Sequence, residues 1–382
     1  MTLKVSVRGQ IPPFIVMDVM RAANERAASG ADVLHLEVGQ PSTGAPKGVI
    51  AAASAALRDD TLGYTDALGI PPLRSAIARH YRDRYGIDLD PERVVVTTGS
   101  SGAFLLTFLA AFDAGDRVGL ATPAYPAYRN ILRALDLEPV ELEAGAAERY
   151  QATVDLLRRA PQPLDGLVVA SPANPTGTML APEELAALAR YCEASGIRLV
   201  SDEIYHGITY GPQEASALAS SDEAIVVNSF SKYFSMTGWR LGWMVVPRPL
   251  LRAVECIAQN FFISPPAISQ HAAVAAFECH DELAGNVRRY AENRALLLRE
   301  LPKAGFDRLA PADGAFYLYA DVAHLTNDSQ EFCRRILREL GIALTPGVDF
   351  DPARGHRTLR ISFAGSTATM AEAARRLQAW RR

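Results

Sequence analysis

The sequence predicts an α/β protein: a mostly parallel, doubly wound sheet joined to a smaller α+β domain. The middle of the chain alternates short β-branched runs with helical patterns, which is typical of a parallel sheet covered by helices on both faces. A length of 382 residues with 49% hydrophobic content suits two globular domains. We expect a large domain of residues 41–289 and a small domain of residues 1–40 and 290–382.

Each element has its own local pattern. Runs rich in β-branched residues predict strands at Arg93–Thr98, Arg117–Ala121, Leu167–Ala170, Arg198–Ser201, Ala224–Asn228 and Leu241–Val246. Apolar periodicity predicts helices at Ala103–Phe112, Ala127–Ala134, Pro182–Ala194 and from Leu250 onward. The small domain is predicted as a helix from about Ala291, a strand at Gly314–Tyr319, a helix at Ser329–Leu340 and a strand at Thr358–Phe363. We expect an amino-terminal helix at Pro13–Ala28 to fold back onto it.

Charge and apolar runs exclude several classes of partner. The net charge is −4 and the basic residues are scattered, so no surface for nucleic acid or an anionic membrane is predicted. The longest apolar runs, such as Ala103–Phe112, are too short to span a bilayer. The amino terminus lacks an apolar region of the signal type before Gln10, so we expect a cytoplasmic protein.

The four cysteines, Cys192, Cys256, Cys279 and Cys333, lie far apart in mostly apolar helical patterns. Metal ligation needs histidines or cysteines at close spacing, and Cys279–His280 is the only neighbouring pair. We therefore expect reduced structural thiols and no metal site.

Polar clusters follow four of the predicted strands directly. They are Thr98–Gly102, Ser171–Gly177, Ser201–Tyr205 and Asn228–Lys232. Open α/β sheets bind ligands at the carboxyl ends of their strands. The four clusters therefore predict one shared site.

Lys232 is the most informative residue of that site. It is one of only four lysines among 39 lysine and arginine residues, and the other three lie in ordinary turn or terminal positions. A buried lysine can lose its proton and form a Schiff base, which arginine cannot do. Ser229, Ser231 and Arg240 stand nearby in sequence and suit a phosphate beside the amine. This combination predicts pyridoxal phosphate as cofactor.

A series of motifs then carries a resemblance to a known family. They are Gly39-Gln40-Pro41, Tyr64 to Gly69, the Asn-Pro-Thr-Gly at Asn174, Asp202 with Tyr205, Ser-Phe-Ser-Lys at Lys232, Gly238 to Gly242, Pro346 to Phe350, and Arg360 to Phe363. In this order and spacing the chain resembles, nearly end to end, the fold-type I pyridoxal-phosphate aminotransferases of class I/II. That family includes aspartate, alanine and aromatic aminotransferases.

The resemblance implies roles for the catalytic residues. Lys232 would bind the cofactor aldehyde and then move the proton between the substrate Cα and the cofactor. Asp202 would keep the pyridine nitrogen protonated, so that the ring can accept electrons. Asn174 and Tyr205 would hydrogen-bond the phenolic oxygen of the ring.

The resemblance also implies the remaining cofactor contacts. Tyr125 would stack on the face of the ring, and the phosphate would be held by Ser100, Ser101, Ser229, Ser231 and Arg240. Ser100 and Ser101 stand between a strand and a helix, where amide groups favour an anion. Tyr64 resembles the tyrosine that this family contributes from a partner subunit, which implies a homodimer with shared sites.

Substrate binding is implied for Arg360, whose guanidinium would hold the α-carboxylate bidentately, with help from Asn174 and the backbone of Gly39. The partners are then an amino acid and a 2-oxo acid in a ping-pong cycle. Ser101 stands where dicarboxylate-preferring bacterial members often carry a lysine, which weakens an aspartate assignment. Aspartate, alanine and aromatic or neutral donors stay open, and Arg8 and Arg21 are candidate cations for a second carboxylate.

Two other functions compete with transamination. The same constellation serves carbon–sulfur β-lyases, which release pyruvate and ammonia without an oxo-acid acceptor. A non-catalytic, cofactor-binding sensor domain is the third hypothesis. Such regulators usually carry a DNA-binding segment, and the residues before Asp32 leave no room for a helix-turn-helix and linker.

Overall fold

The computed structural model describes residues 3–380. The strands are Leu34–His35 (β1), Val94–Thr97 (β2), Arg117–Thr122 (β3), Glu138–Glu143 (β4), Gly166–Ala170 (β5), Arg198–Asp202 (β6), Ile225–Ser229 (β7), Gly242–Val245 (β8), Arg308–Leu309 (β9), Tyr317–Asp321 (β10), Ile342–Ala343 (β11), Thr345–Pro346 (β12) and Thr358–Ser362 (β13). The α-helices are Ile15–Ala28 (α1), Lys47–Asp59 (α2), Pro71–Tyr85 (α3), Gly99–Ala111 (α4), Pro126–Ala134 (α5), Val154–Arg158 (α6), Pro182–Ala194 (α7), Leu251–Phe261 (α8), Ala267–Val274 (α9), His280–Glu300 (α10), Ser329–Leu340 (α11) and Thr367–Ala379 (α12). Strand and helix alternate from β2 to β6.

The central sheet has seven strands in the order β2-β8-β7-β6-β5-β3-β4, and only β8 runs antiparallel to its neighbours. Its two faces pack against different cores. Val94 and Val96 of β2 join one apolar core together with Leu73, whereas Val95 joins another together with Phe104. Burial on both faces explains why these strands read as continuous apolar runs. The predicted fold class is confirmed.

The central sheet contains one strand, β4, that the sequence did not predict. Strand β4 carries Pro139 and three glutamates, a composition that argues against a central strand. It lies at the edge of the sheet, where it pairs only with β3. Because an edge strand is covered on one side only, its proline and charges are tolerated there.

The helical run predicted from Leu250 onward is divided into three helices, α8, α9 and α10. The first break lies at Ser264-Pro265-Pro266, because a residue before proline disfavours the α region and proline lacks the amide proton. The strand predicted from Gly314 begins at Tyr317, and Gly314 forms an isolated bridge with Thr209. These are corrections to the predicted boundaries.

The carboxyl-terminal part contains an antiparallel sheet of order β12-β13-β10-β9. Its own core combines residues of β10 and β13 with residues of α10, α11 and α12. Helix α1 packs against β12 and β11, and β1 pairs with β11 in parallel. The amino-terminal segment thus contacts the carboxyl-terminal part. The domain boundaries given above stay a prediction.

The fold brings the ends of several strands to one place. Strands β3, β5, β6 and β7 are parallel, so Thr122, Ala170, Asp202 and Ser229 end at the same edge of the sheet. The small sheet faces this edge through Arg360 of β13. Within residues 3–380, no helix has the length and apolar character needed to cross a membrane.

Candidate active site

A cavity of about 190 Å³ lies at the carboxyl edge of the central sheet. Its wall brings together eleven of the residues predicted from sequence: Gly39, Ser100, Ser101, Tyr125, Asn174, Asp202, Tyr205, Ser231, Lys232, Arg240 and Arg360. These residues come from segments that are far apart in sequence, from Gly39 near the amino terminus to Arg360 near the carboxyl terminus. The predicted convergence of the polar clusters is therefore seen in the fold.

Lys232 places its amine in the middle of this cavity. Its Nζ donates a hydrogen bond of 2.6 Å to the carbonyl oxygen of Gly39 and lies 5.9 Å from the ring centre of Tyr205. Burial, followed by the positive charges of Arg360 and Arg240, lowers the pKa of the amine to about 8. A neutral, nucleophilic amine is therefore accessible near neutral pH.

Asp202 ends β6 as a buried carboxylate, with 4% of its surface exposed. The hydroxyl of Tyr128 donates to its Oδ2, and the amide of Ile204 donates to its Oδ1 at 3.1 Å. Burial raises the pKa of Asp202 to about 6, although both hydrogen bonds oppose the shift. The carboxylate is ionised at neutral pH and suits a cationic partner.

One end of the cavity is built for an anion. It is formed by the first turn of α4, which contains Ser100 and Ser101, no acidic residue and no side-chain cap. The guanidinium of Arg240 lies against this turn, so close that a Cβ on Gly99 would be 2.6 Å from its Nη2. Free amides at a helix amino terminus beside a guanidinium form a phosphate site.

The opposite side of the cavity carries Arg360, which is 2% exposed. Its Nη1 donates to Asn174 Oδ1 at 2.8 Å, and its Nη2 donates to the carbonyl oxygen of Glu37. Its guanidinium is stacked between the rings of Tyr317 and Phe350, at 4.5 and 4.8 Å from their centres. The stacking fixes the plane of a fork that can bind a carboxylate bidentately.

Two tyrosines complete the wall. Tyr205 forms a hydroxyl–hydroxyl hydrogen bond of 2.7 Å with Tyr317, and burial raises its pKa well above the usual value. Tyr125 packs edge-on against Phe14 and Tyr128, and burial raises its pKa to about 12. Both phenols are neutral at physiological pH and act as hydrogen-bonding or stacking groups.

Comparison with known proteins identifies the family. The sequence model of the protein family described as aminotransferase class I and II matches residues 31–377 of this chain. The chain belongs to this family. It is 56% identical to a valine–pyruvate aminotransferase of Mycobacterium tuberculosis, over 100% of this chain and 99% of the relative, and 33% identical to an aspartate/prephenate aminotransferase of Thermus thermophilus, over 95% of each chain.

Solved structures agree with the assignment to the class I and II aminotransferases. An aminotransferase from Mycobacterium tuberculosis superposes with a TM-score of 0.98 at 56% identity, covering 99% of each chain. Aspartate aminotransferase from Thermus thermophilus with maleate superposes with a TM-score of 0.93 at 32% identity, covering 99% of this chain and 100% of that one.

Members of this aminotransferase family use pyridoxal phosphate, and the cavity fits that cofactor. It offers an amine for the aldehyde, an anion cradle that a Cβ at Gly99 would fill, a buried carboxylate for the ring nitrogen and an aromatic face. The four groups differ in chemistry and match the four parts of the cofactor.

Two residues predicted to bind the cofactor do not line the cavity of this aminotransferase. Ser229 is 1% exposed and lies beneath the wall, with its Oγ 2.9 Å from Ser231 Oγ and 3.0 Å from the Leu241 carbonyl oxygen. Tyr64 is 84% exposed, in a loop that does not reach the cavity of its own chain. Direct contact of either residue with the phosphate stays a prediction.

The structure also adds wall residues that the sequence did not single out. Tyr128 and Tyr317 contact Asp202 and Tyr205, respectively. The first turn of α1 contributes Phe14, Val16 and Met17. The only signal for Tyr128 was its spacing of three residues from Tyr125, which places both on one face of α5.

The two candidate cations for a second substrate carboxylate are elsewhere. Arg8 pairs with Asp136 and Arg21 pairs with Asp18, and neither arginine lines the cavity. Within residues 3–380, the cavity wall has three cationic side chains, those of Lys232, Arg240 and Arg360. No group of three or more metal-ligating side chains is found within the same range.

Proposed function

We propose that this aminotransferase takes a neutral amino acid such as valine as donor and pyruvate as acceptor. The observation that carries the proposal is the composition of the cavity wall. Three cations of the wall are needed for the cofactor and the α-carboxylate. The part of the wall near the start of α1 is apolar and consists of Phe14, Val16, Met17 and Val38. A second carboxylate would be left unpaired there, which is costly. The relative that is 56% identical is named for the same pair of substrates.

The substrate α-carboxylate is held by Arg360. Amino acid and 2-oxo acid share this carboxylate, so one guanidinium fork serves both halves of the ping-pong cycle. Asn174 Oδ1 and the Glu37 carbonyl oxygen already orient the fork, and Tyr317 and Phe350 support its two faces. A preoriented guanidinium binds a carboxylate with little loss of side-chain entropy.

Lys232 is the proton carrier. When bound, pyridoxal phosphate supplies a ring that accepts the electrons of the substrate Cα–H bond. Lys232 would hold the cofactor through its amine, and the amine set free by the donor would then take the proton from the substrate Cα. Its lowered pKa of about 8 matches this task, because a base works best when its pKa lies near the working pH.

Asp202 and its neighbours tune the ring. Its carboxylate would keep the ring nitrogen of the bound cofactor protonated, and the Tyr128 hydroxyl holds the carboxylate in place. Asn174 and Tyr205 would hydrogen-bond the phenolic oxygen, and Tyr125 would stack on the ring. The phosphate would be bound by Ser100, Ser101, Ser231 and Arg240, with Ser229 supporting Ser231.

We also propose a homodimer in which Tyr64 reaches the phosphate of the partner subunit. Tyr64, Phe261 and Ile263 expose 84, 60 and 50% of their surface. The Thr65 amide donates to Ser264 Oγ, and Gln270 Nε2 donates to Thr65 Oγ1. These hydrogen bonds join the loop that contains Tyr64 to the segment between α8 and α9 and to α9 itself. These segments form one exposed apolar surface, which suits a protein interface. The cytoplasmic location stays a prediction from the sequence.

Steady-state assays with paired substrates test the donor. We expect kcat/KM for valine with pyruvate to exceed that for aspartate with 2-oxoglutarate by at least about a hundredfold, since an unpaired buried carboxylate costs about 3 kcal/mol or more. A preference for aspartate would refute the proposed donor. Continuous pyruvate and ammonia release from a donor such as cystathionine, without any oxo acid, would instead favour the β-lyase.

A further inference from the structure

The turn Pro346–Phe350 lies beside the cavity without lining it, and its Asp349 makes an unusual contact. The two carboxylate oxygens of Asp349 accept hydrogen bonds of 3.1 Å from the amides of Ile15 and Val16. These amides open α1, whose own N-cap residue, Phe14, provides no side-chain cap. A residue from the far end of the chain therefore performs the capping of α1.

The turn itself is held firmly in place. The Asp349 carbonyl oxygen accepts from Arg129 Nη2 at 3.3 Å, and the Phe350 carbonyl oxygen accepts from the Ala124 amide at 3.1 Å. Phe350 also packs on the guanidinium of Arg360. The capping carboxylate is thus attached to the loop before Tyr125 and to the carboxylate-binding arginine. Asp349 therefore links the start of α1 to both of these parts of the site.

Close packing explains why the turn cannot shift easily. A Cβ on Gly347 would lie 1.9 Å from Thr358 Oγ1 and 2.6 Å from the Gly355 carbonyl oxygen, so the backbone is pressed against the next segment. Asp349 is 3% exposed, and its Oδ atoms face the amino terminus of a helix. A buried anion at that end of a helix is stabilised by the helix dipole.

The first turn of α1 has few other polar contacts at this position. Phe14, Val16 and Met17 line the cavity with apolar side chains, and Phe14 packs edge-on against Tyr125 at 5.6 Å. Apolar contacts alone allow a helix end to slide or fray. The two hydrogen bonds to Asp349 fix the direction and height of this wall.

We propose that Asp349 is a positioning residue for substrate: it holds the first turn of α1, and thereby the apolar wall of Phe14, Val16 and Met17, against the donor side chain. This inference rests on the proposed function, in which that wall contacts the donor. Asp349 touches neither substrate nor cofactor and acts through α1. Its loss should affect the binding of large side chains more than the chemical step.

The chain offers two variants and a matched control. Asp349→Ala removes both acceptors, whereas Asp349→Asn keeps the shape and one acceptor oxygen. Asp328 is also a capping aspartate, since its Oδ1 accepts from the Glu331 amide of α11 at 3.0 Å. Helix α11 contributes no residue to the cavity wall. Asp328→Ala therefore removes a helix cap of the same chemistry from a helix that does not line the active-site cavity.

The test combines kinetics with amide hydrogen exchange on the cofactor-loaded enzyme. In Asp349→Ala we expect the KM for valine to rise about tenfold, with kcat changed by less than about threefold, since one cap is worth about a factor of ten. The KM for alanine should rise less, because a methyl group barely meets the wall. The KM for valine in Asp349→Asn should lie between those of the wild type and Asp349→Ala. Asp328→Ala should keep the wild-type KM. The amides of Ile15 and Val16 should exchange faster only in the Asp349 variants.

Several outcomes would overturn the inference. One is an unchanged KM for valine in both Asp349 variants although the α1 amides exchange faster. Another is an equal loss of kcat with every donor, accompanied by weaker cofactor binding. If Asp349→Ala does not fold, Asp349→Asn gives the decision. If the wild type does not use valine, the proposed donor fails, and the KM of the largest amino acid that it accepts still decides the role of Asp349.

Discussion

At the scale of single residues, the cavity holds charged side chains whose burial shifts their pKa values towards the neutral form. Lys232 shares a small cavity with Arg240 and Arg360, which lower the pKa of its amine, and with Asp202, which raises it. Asp202 in turn is buried and ionised, supported by Tyr128 and a backbone amide. The burial of these charges costs free energy. A cofactor with groups of opposite charge offsets this cost when it binds, so cofactor binding stabilises the folded protein.

The first prediction concerns the amine of Lys232 in the cofactor-free protein. Its folded pKa of about 8 lies below the ordinary 10.5, so the unfolded chain binds more protons between these values. Stability therefore rises with pH across this window, and the full penalty is present below pH 8. We expect Lys232→Met to stabilise the cofactor-free protein at pH 7 by about 2 kcal/mol, since a penalty of about 3 exceeds a hydrogen bond worth about 1.

Urea unfolding at several pH values measures this difference. The gap between Lys232→Met and wild type should shrink above pH 8 and close at about pH 10, where the remaining penalty equals the lost hydrogen bond. The same variant should take up no cofactor that borohydride can fix to the protein. A destabilised Lys232→Met at pH 7, with a gap that does not depend on pH, would show that the amine is not strained by burial.

A second prediction concerns Tyr128, whose hydrogen bond lowers the pKa of Asp202 towards its present value of about 6. Without the hydroxyl, this pKa rises, and more of the carboxylate is protonated in mild acid. We expect Tyr128→Phe to lose about tenfold in kcat/KM at pH 6 and less than about threefold at pH 8. An equal loss at both pH values would argue that Tyr128 only fills space.

The sequence pointed to those residues of the cavity wall whose chemistry is rare, and it missed those whose position depends on tertiary contact. Three residues stand out because few other side chains can replace them: Lys232 for its amine, Asp202 for its buried carboxylate and Arg360 for its forked guanidinium. Tyr128 and Tyr317 are ordinary aromatic residues in the sequence, and only the fold brings their hydroxyls to Asp202 and Tyr205. Asp349 belongs to a recognised motif, but its partner amides lie at the other end of the chain.

At the scale of elements, the proposed phosphate site lies at the amino terminus of α4. The predicted helix began at Ala103, whereas α4 begins at Gly99, so that Ser100 and Ser101 lie in its first turn. Small polar residues and glycine hide this turn from a periodicity argument. Strand β4 was missed because its position at the sheet edge cannot be read from its sequence. The helix break had a local signal in Pro265 and Pro266, which the prediction did not use.

The third prediction is an opposite response of stability and cofactor binding at α4. In Ser101→Asp, the new carboxylate favours the helix amino terminus, so the cofactor-free protein should gain up to about 1 kcal/mol. The same charge competes with the phosphate, and we expect the Kd for pyridoxal phosphate to rise at least about tenfold. Ser101→Ala, which lacks the charge, should raise it by less than about threefold. An unchanged Kd in Ser101→Asp would place the phosphate elsewhere.

At the scale of the whole molecule, one chain supplies the cavity but leaves Tyr64 far from it. The solvent-exposed rings of Tyr64, in a loop, and of Phe261, at the end of α8, belong to segments that the hydrogen bond from the Thr65 amide to Ser264 Oγ joins. Exposed apolar surfaces of this kind often mark sites of contact with another protein. In a symmetric dimer, the same surface of each subunit would meet its copy, and each Tyr64 could serve the opposite cavity.

The fourth prediction uses subunit complementation. Tyr64→Ala and Lys232→Ala each remove one part of a shared site. After the two variants are refolded together, half of the dimers are mixed and each mixed dimer holds one native site, so activity should recover to about a quarter of wild type. A mixture whose activity is only the average of the two variants would mean that Tyr64 does not act across an interface.

The central claim is that Lys232 and its cavity carry out transamination of a neutral donor. A single-turnover absorbance titration of the cofactor-loaded protein, with amino acids added one at a time and no oxo acid present, tests it most directly. We predict that valine converts the cofactor band to that of the amine form and releases one equivalent of 2-oxo acid per site, while aspartate reacts far more slowly. A persistent band with continuing release of pyruvate and ammonia, or the absence of any cofactor band, would contradict the account.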